Sequence, residues 1–286
     1  MSVDISILMS AYNAQRTIAR SIASLLVQDF SNFELIVVDD GSADNTFKIC
    51  SSFNDDRIKI FRTENRGITK ALNYAYTLSK GKYIARHDSD DYSLINRLSV
   101  QFSSLEDDSE LMLVGSDCYI EDSRFGLVRE FYNYPKSYDN LREALGCFNP
   151  IVHGSVMMKR RAFEELGGYN EEYRYVQDYE LWCRFLNKFY ARNVPDPLYV
   201  RSVLPTSTQK SVDKGYIFKK INSVHNLKES GCQRSIESIS ILPFVCPMNE
   251  HNRRIKKTLI GISRKLRENK FPYLTTYLQA LLQNPL

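Results

Sequence analysis

Glycine is absent from the turn after the first apolar strand, which is SAYNAQRT at residues 10–17. Dinucleotide-binding and P-loop chains put glycine there, as G-x-G-x-x-G or G-x-x-x-x-G-K-[ST], so that backbone amides can approach phosphate. Both are excluded, and any nucleotide bound here must have its phosphates carried by side chains and a metal. The six cysteines (Cys50, Cys118, Cys147, Cys183, Cys232 and Cys246) contain no C-x-x-C and no paired spacing. This fits reduced, mostly buried thiols better than a disulfide framework or a zinc site. Long apolar runs are missing as well. The chain enters Ile5-Ser6-Ile7-Leu8-Met9 almost at once, with no basic leader and no stretch able to span a bilayer, so a cytoplasmic location is expected. The net charge of +4 is mild and argues against a dedicated nucleic-acid binder, which would show a higher pI and a clear basic stripe. No internal repeat or low-complexity tract is present.

What remains is ordinary for a globular protein: 43% hydrophobic and 25% charged residues over 286 positions, enough for one large α/β domain or two modest ones. Apolar strands are predicted at residues 4–9, 35–38, 58–61 and 83–85. Between them lie helices bearing Ile18, Ile22, Leu25 and Leu26, then Phe47 and Ile49, then Ala71, Leu72 and Ala75. Apolar strands without polar alternation, separated by amphipathic helices, imply a parallel sheet covered on both faces. Ligands of such sheets gather at the carboxyl ends of the strands. Those ends carry residues 10–13, residues 39–42 (Asp-Asp-Gly-Ser) and the cluster Asp88, Asp90 and Asp91. Carboxylates this crowded disfavour their own ionisation. Either a hard divalent cation such as Mg²⁺ or Mn²⁺ offsets the repulsion, or the cluster is a solvated strand end that caps the next helix.

Further on, a helix with Phe102 and Leu105 precedes an apolar strand at 111–114, and residues 116–138 read as strands and loops at the sheet edge. Residues 149–154 form a turn into a short strand at 155–158. In QDYELWCRF, residues 177–185, Leu181, Trp182 and Phe185 make a helical apolar face with Asp178 in the first turn. The helix dipole favours a carboxylate there, and Asp178 by itself fits a capping acid equally well. Residues 204–214 form a Ser/Thr/Lys-rich loop able to close over a ligand. Residues 249–270 are strongly basic, with Ile255, Leu259, Ile262 and Leu266 on one helical face. Such a helix either packs its stripe on its own domain or makes peripheral contact with an anionic membrane surface.

Taken in order, SILMSAYNAQRTIARSIASLLVQDF, FELIVVDDGSADNT, NRGITKALNYAYTLSKGKYIARHDSDD and VQDYELWCRF resemble the inverting glycosyltransferases of family 2. The resemblance covers roughly residues 3–200. It implies the GT-A fold, a Rossmann-like, mostly parallel sheet flanked by helices, here followed by a helical basic C-terminal extension. It divides the chain into a glycosyltransferase domain at 1–204 (nucleotide part about 1–115, acceptor part about 116–204) and an extension at 205–286. It implies a nucleotide-diphospho-sugar donor, UDP foremost, and a glycan or lipid-linked saccharide acceptor, as in O-antigen or capsule biosynthesis. Mn²⁺ or Mg²⁺ is the implied cofactor, and nucleic acid is not a partner. Carried onto this sequence, Asp40 would hold the base, with Tyr12 stacking on it and Ala11 in the same pocket. Asp88 and Asp90 are the D-x-D: Asp90 is the direct metal ligand, Asp88 points towards ribose or donor sugar, and Asp91 orients the loop. Arg66 either neutralises diphosphate or is simply an exposed loop arginine. Asp178 matches the catalytic base, with Gln177 where the motif often has Glu, and Glu180 is the fallback base. His153 falls near the acceptor, or is structural. A nucleotidyltransferase would need a glycine- and arginine-rich phosphate loop that SAYNAQRT does not supply. A non-catalytic nucleotide-sugar or glycan-binding subunit with the same fold is the alternative.

Overall fold

The computed structural model describes residues 2–122, 127–132, 134–203, 221–225 and 250–268. The first half alternates β1 (Ile5–Ala11), α1 (Ile18–Leu26), β2 (Phe33–Asp40), α2 (Thr46–Cys50), β3 (Ile58–Thr63), α3 (Ile68–Thr77) and β4 (Tyr83–Arg86). Strands β3, β2, β1 and β4 lie side by side and parallel, with Ile5 opposite Phe33 and Ala11 opposite Asp39. The carboxyl ends of β1 and β2 are therefore level. Side chains alternate along β1, as a strand requires. Ile5, Ile7, Met9 and Ala11 join the core beneath α1, whereas Leu8 joins Ile36, Val38 and Leu72 on the opposite face.

The second half contains β5 (Tyr92–Ser93), α4 (Arg97–Glu106), β6 (Leu111–Asp122), β7 (Leu127–Tyr132), α5 (Tyr138–Leu145), a 3₁₀ turn at His153–Ser155, β8 (Met157–Lys159), α6 (Arg160–Glu165), α7 (Gln177–Lys188) and β9 (Tyr190–Val203). The full sheet order is β3-β2-β1-β4-β8-β6-β9-β5, with β7 on β6. Strand β8 runs antiparallel to both β4 and β6 and joins the parallel half to a mixed half. Two sequence expectations change here. Strand β6 runs on to Asp122 with β9 along one side, and its Cys118–Asp122 part is flanked on the other by β7, the one described stretch of residues 116–138 that forms an edge strand. Strand β9, of 14 residues, has no counterpart among the predicted elements. Its Pro195 and Pro197 weaken any strand reading, and its register against β6 shifts near those prolines.

Helix α8 (Glu250–Glu268) settles one alternative. Leu259, Ile262 and Leu266 are buried in the α1-side core. Thr258 Oγ1 accepts the Ile95 N–H at 3.0 Å, and Gly261 lies against Val27. These three residues of the stripe thus pack on their own domain, each buried side chain contributing roughly 1.5–3 kcal/mol. Among the described residues, no helix is long and apolar enough to cross one. Cys50, Cys118 and Cys183 are free and buried. Cys147 is disulfide-bonded, contrary to the expectation of reduced thiols, because spacing along a chain does not report proximity in space. The loop at 204–214 lies outside the described residues.

Candidate active site

The turns after β1 and β2 are stitched together. Asn13 N–H donates to Ser42 Oγ and Ala43 N–H to Asn13 Oδ1, both at 2.9 Å, and Ala14 N–H donates to Thr46 Oγ1 at 2.7 Å. Asn13 adopts φ 49°, a left-handed conformation that asparagine tolerates better than most residues. Beside it, Tyr12 stands 53% exposed, an unusual cost for a tyrosine and suited to stacking on a flat ligand. The Ala11 side chain lies in the core, and its backbone leads into this turn beside Tyr12. Asp40 is buried, and its two oxygens accept the Arg66 and Gly67 N–H groups at 2.8 Å each. It thereby pins the loop before α3, while the Arg66 side chain is exposed. A carboxylate has about four acceptor sites, so Asp40 keeps capacity for a further donor.

The acidic turn follows β4. The helix-cap reading fails, because α4 starts at Arg97 behind Asn96 with no side-chain cap. Asp88 instead pairs with the buried Arg86 at 2.5 Å. Burial opposes its ionisation, but the charge of Arg86, with His153, His87 and Arg201 beyond, holds its carboxyl below the usual range. The Asp88 N–H donates to Tyr199 Oη on β9 at 3.0 Å. Arg97, fully buried, lies over the Tyr199 ring at 5.2 Å and donates to the Arg86 and Val156 carbonyls. Burial lowers its pKa to about 10. Asp91 accepts the Ser202 N–H at 2.7 Å and so ties the turn to β9. Burial and the charges of Asp90 and Asp88 raise its pKa. Asp90 forms no ion pair among the described residues, and burial with the charge of Asp88 pushes it up to about 6.

That uncompensated carboxylate beside a second one is the donor set a hard divalent cation fits. Among the described residues no three His, Cys, Asp or Glu side chains converge as a cation site, so protein ligands alone do not complete a shell.

On the far side, Asp178 does not cap α7. Its Oδ2 accepts from Asn149 Nδ2 at 2.7 Å. His153 shares a hydrogen bond with Tyr169 Oη at 2.7 Å. Burial, then the charge of Arg86, pushes His153 down to about 4 against the opposing influence of Asp178 and Asp88. The 149–155 turn reaches towards both carboxylates: Asn149 Nδ2 donates to Asp178 Oδ2 at 2.7 Å, and a Cβ on Gly154 would lie 2.6 Å from Asp88 Oδ2. Glu180 does not join them. Both its oxygens are taken by Arg184 at 2.7 Å, and Arg184 also donates to the Leu166 and Gly168 carbonyls. Two residues along a helix face different sides, so Glu180 is a buried structural acid and not a second base.

Strand-end turns, an acidic turn and a helix-borne carboxylate collected at one end of such a sheet can be compared with known proteins. The model of glycosyl transferase family 2 matches residues 6–167. The chain belongs to that family. Among relatives of this glycosyltransferase, EpsE of Bacillus subtilis (strain 168) is 36% identical over 202 residues, covering 68% of this chain and 71% of its own. The Escherichia coli UDP-Glc:alpha-D-GlcNAc-diphosphoundecaprenol beta-1,3-glucosyltransferase WfgD is 33% identical, covering 64% of this chain and 69% of its own. S. aureus TarS 1-349 in complex with UDP-GlcNAc superposes with a TM-score of 0.63 at 18% identity, covering 98% of this chain and 88% of that one. The mannosyltransferase PcManGT from Pyrobaculum calidifontis, in complex with GDP-Man and Mn²⁺, gives 0.56 at 18% identity, over 98% and 74%. The GT-A-like fold of the enzyme is thus established.

The sequence motifs assign no role to several residues that build this candidate site: Arg86, Arg97, Asn149, Tyr169 and Tyr199. Arg86 carries a faint signal, a charge ending an otherwise apolar buried strand. Tyr199 carries none, since β9 itself was not predicted.

Proposed function

We propose that this family 2 glycosyltransferase is metal-dependent and inverting, moving a sugar from a UDP-sugar to a glycan or lipid-linked saccharide in surface-polysaccharide assembly, of O-antigen or capsule type. The observation that carries the reading is the 149–155 turn, which meets Asp178 through Asn149 Nδ2 at 2.7 Å and leaves room for no Cβ at Gly154 beside Asp88, so that donor-side and base-side carboxylates border one turn. The acceptor class draws support from WfgD, whose name gives a UDP-Glc donor and a lipid-diphosphate acceptor. The O-antigen biosynthesis glycosyltransferase WbnJ of Escherichia coli, 34% identical over 194 residues, points the same way.

In this reading the nucleotide base lies between the Tyr12 ring and Asp40, whose spare acceptor capacity suits the N–H of uracil. Asp90, with Asp88 beside it, would hold Mn²⁺ or Mg²⁺, and Arg66 adds a cation towards the diphosphate. Bound there, a divalent ion supplies Lewis-acid stabilisation for the charge that develops on the diphosphate leaving group. Asp178 takes the proton of the acceptor hydroxyl as its oxygen attacks the anomeric carbon from the face opposite the departing diphosphate, inverting the configuration. General-base help of this kind is typically worth ~10²–10⁴-fold. His153 stays neutral and, with Tyr169, holds the space between the two carboxylate sets. Residues 1–115 then serve the donor and 116–204 the acceptor. Contact with an anionic membrane would draw on basic residues such as the exposed Lys257 and Arg264 of α8.

Sugar transfer from UDP-sugars to a GlcNAc-diphospholipid with Mn²⁺, for wild type and Asp178→Asn, tests the reading. The expected result is a product of inverted anomeric configuration from wild type, and turnover at least ~10²-fold lower in Asp178→Asn. Undiminished turnover in the variant, or a retained configuration, would overturn it.

A further inference from the structure

We propose that Asn149 is a positioning residue for Asp178, which aims one carboxylate oxygen of the base at the acceptor hydroxyl; this rests on the reading of Asp178 as the base. Two contacts fix the Asn149 amide. Its Oδ1 accepts the Ile151 N–H at 3.3 Å, which leaves Nδ2 to donate to Asp178 Oδ2 at 2.7 Å. Flipping the amide would set its oxygen against the carboxylate and its NH₂ against a backbone N–H, so the network allows one orientation. With Oδ2 held, Oδ1 is the Asp178 oxygen left to receive the proton.

The backbone that presents Asp178 is under matching constraint. Helix α7 starts behind Val176 at φ 55°, ψ 26°, a left-handed conformation that is an outlier for a β-branched residue. Strain of this kind persists where surrounding structure over-determines it, and it concentrates at functional sites. Here the side chain of Val176 is packed against the core cluster that contains Trp182 and Phe185. Asp178 is thus delivered by a strained turn on one side and caught by Asn149 on the other. The titratable groups that face it are His153 of the 3₁₀ turn and Tyr169 of the loop before α7, with Arg86 and Asp88 beyond. Burial keeps His153 and Tyr169 neutral near pH 7, and the two share a hydrogen bond with each other.

The test uses the full chain with a donor and acceptor that wild type turns over. Asn149→Asp keeps an oxygen for the Ile151 N–H but sets a second carboxylate against that of Asp178. Crowded carboxylates share a proton and one is strongly raised, so the acid limb of kcat should move up by more than about one pH unit. Asn149→Ala should lower kcat by roughly tenfold or more, a part of the ~10²–10⁴ a general base supplies, with donor KM and nucleotide binding unchanged. Should the alanine variant melt early, Asn149→Asp decides, since it retains the turn. An unshifted acid limb in Asn149→Asp overturns the proposal. If that result comes with an inactive Asp178→Asn, Asp178 stands as the base and Asn149 alone is wrong. If Asp178→Asn turns over normally, the base reading itself has failed.

Discussion

Asp88 and Asp90 sit two residues apart and are driven in opposite directions. Arg86 overcomes burial at Asp88 and holds it ionised, whereas Asp90 has burial and its neighbour's charge against it and rises to about 6. An aspartate in the unfolded chain titrates near pH ~4. Between there and about 6, folded Asp90 binds a proton that the unfolded chain has released, so its contribution to stability falls as pH rises through that window. Asp88 acts in the opposite sense at lower pH: its contribution is complete above the unfolded value and is lost as pH drops through its depressed folded value. His87 and His153, both lowered, favour the folded state as pH rises towards their unfolded value. The variant-minus-wild-type difference therefore isolates Asp90. Without metal, Asp90→Asn should melt above wild type at pH 7, and the gap should shrink steadily towards pH 4.5. A lower melting temperature at pH 7 would contradict this. The carboxylates were legible as letters in a D-x-D and a base motif. Their partners were not, because Arg86, Asn149 and Tyr199 gain meaning only once folding brings them within hydrogen-bond reach.

Two elements hold the donor side and the base side together, the 149–155 turn and strand β9. Gly154 lies where they meet Asp88. A Cβ there would collide with Tyr199 Oη and approach Asp88 Oδ2 to 2.6 Å. Neither can move cheaply, since Tyr199 is fully buried under Arg97 and Asp88 is paired with Arg86. Gly154→Ala should therefore lower the melting temperature and remove any response to nucleotide with metal. An alanine variant with wild-type stability and response would show that the contact yields. At this scale the sequence was readable where apolar runs were unbroken, as in β1, β2 and α1. It was unreadable where Pro195 and Pro197 interrupt β9, whereas the stripe of α8 was legible and only the surface it covers was not.

Across the whole molecule, the parallel order β3-β2-β1-β4 follows from apolar strands that can only be satisfied between two helical layers. That much was visible in the pattern, as were the three polar turns at the strand ends. The mixed half was not, since β8 has three residues and its antiparallel direction depends on partners distant in sequence. In the proposed function the parallel half holds nucleotide through side chains and a divalent ion at Asp90. Thermal stability with UDP, GDP and dTDP, each with and without Mn²⁺, on wild type and Asp90→Ala tests it most directly. The account predicts that UDP raises the wild-type melting temperature only when Mn²⁺ is present, by about 2.7 kcal/mol of stability at a hundredfold excess over Kd, and that Asp90→Ala abolishes the rise. Folded wild-type protein that answers to none of the nucleotides with Mn²⁺, or an Asp90→Ala variant that answers as wild type does, would contradict it.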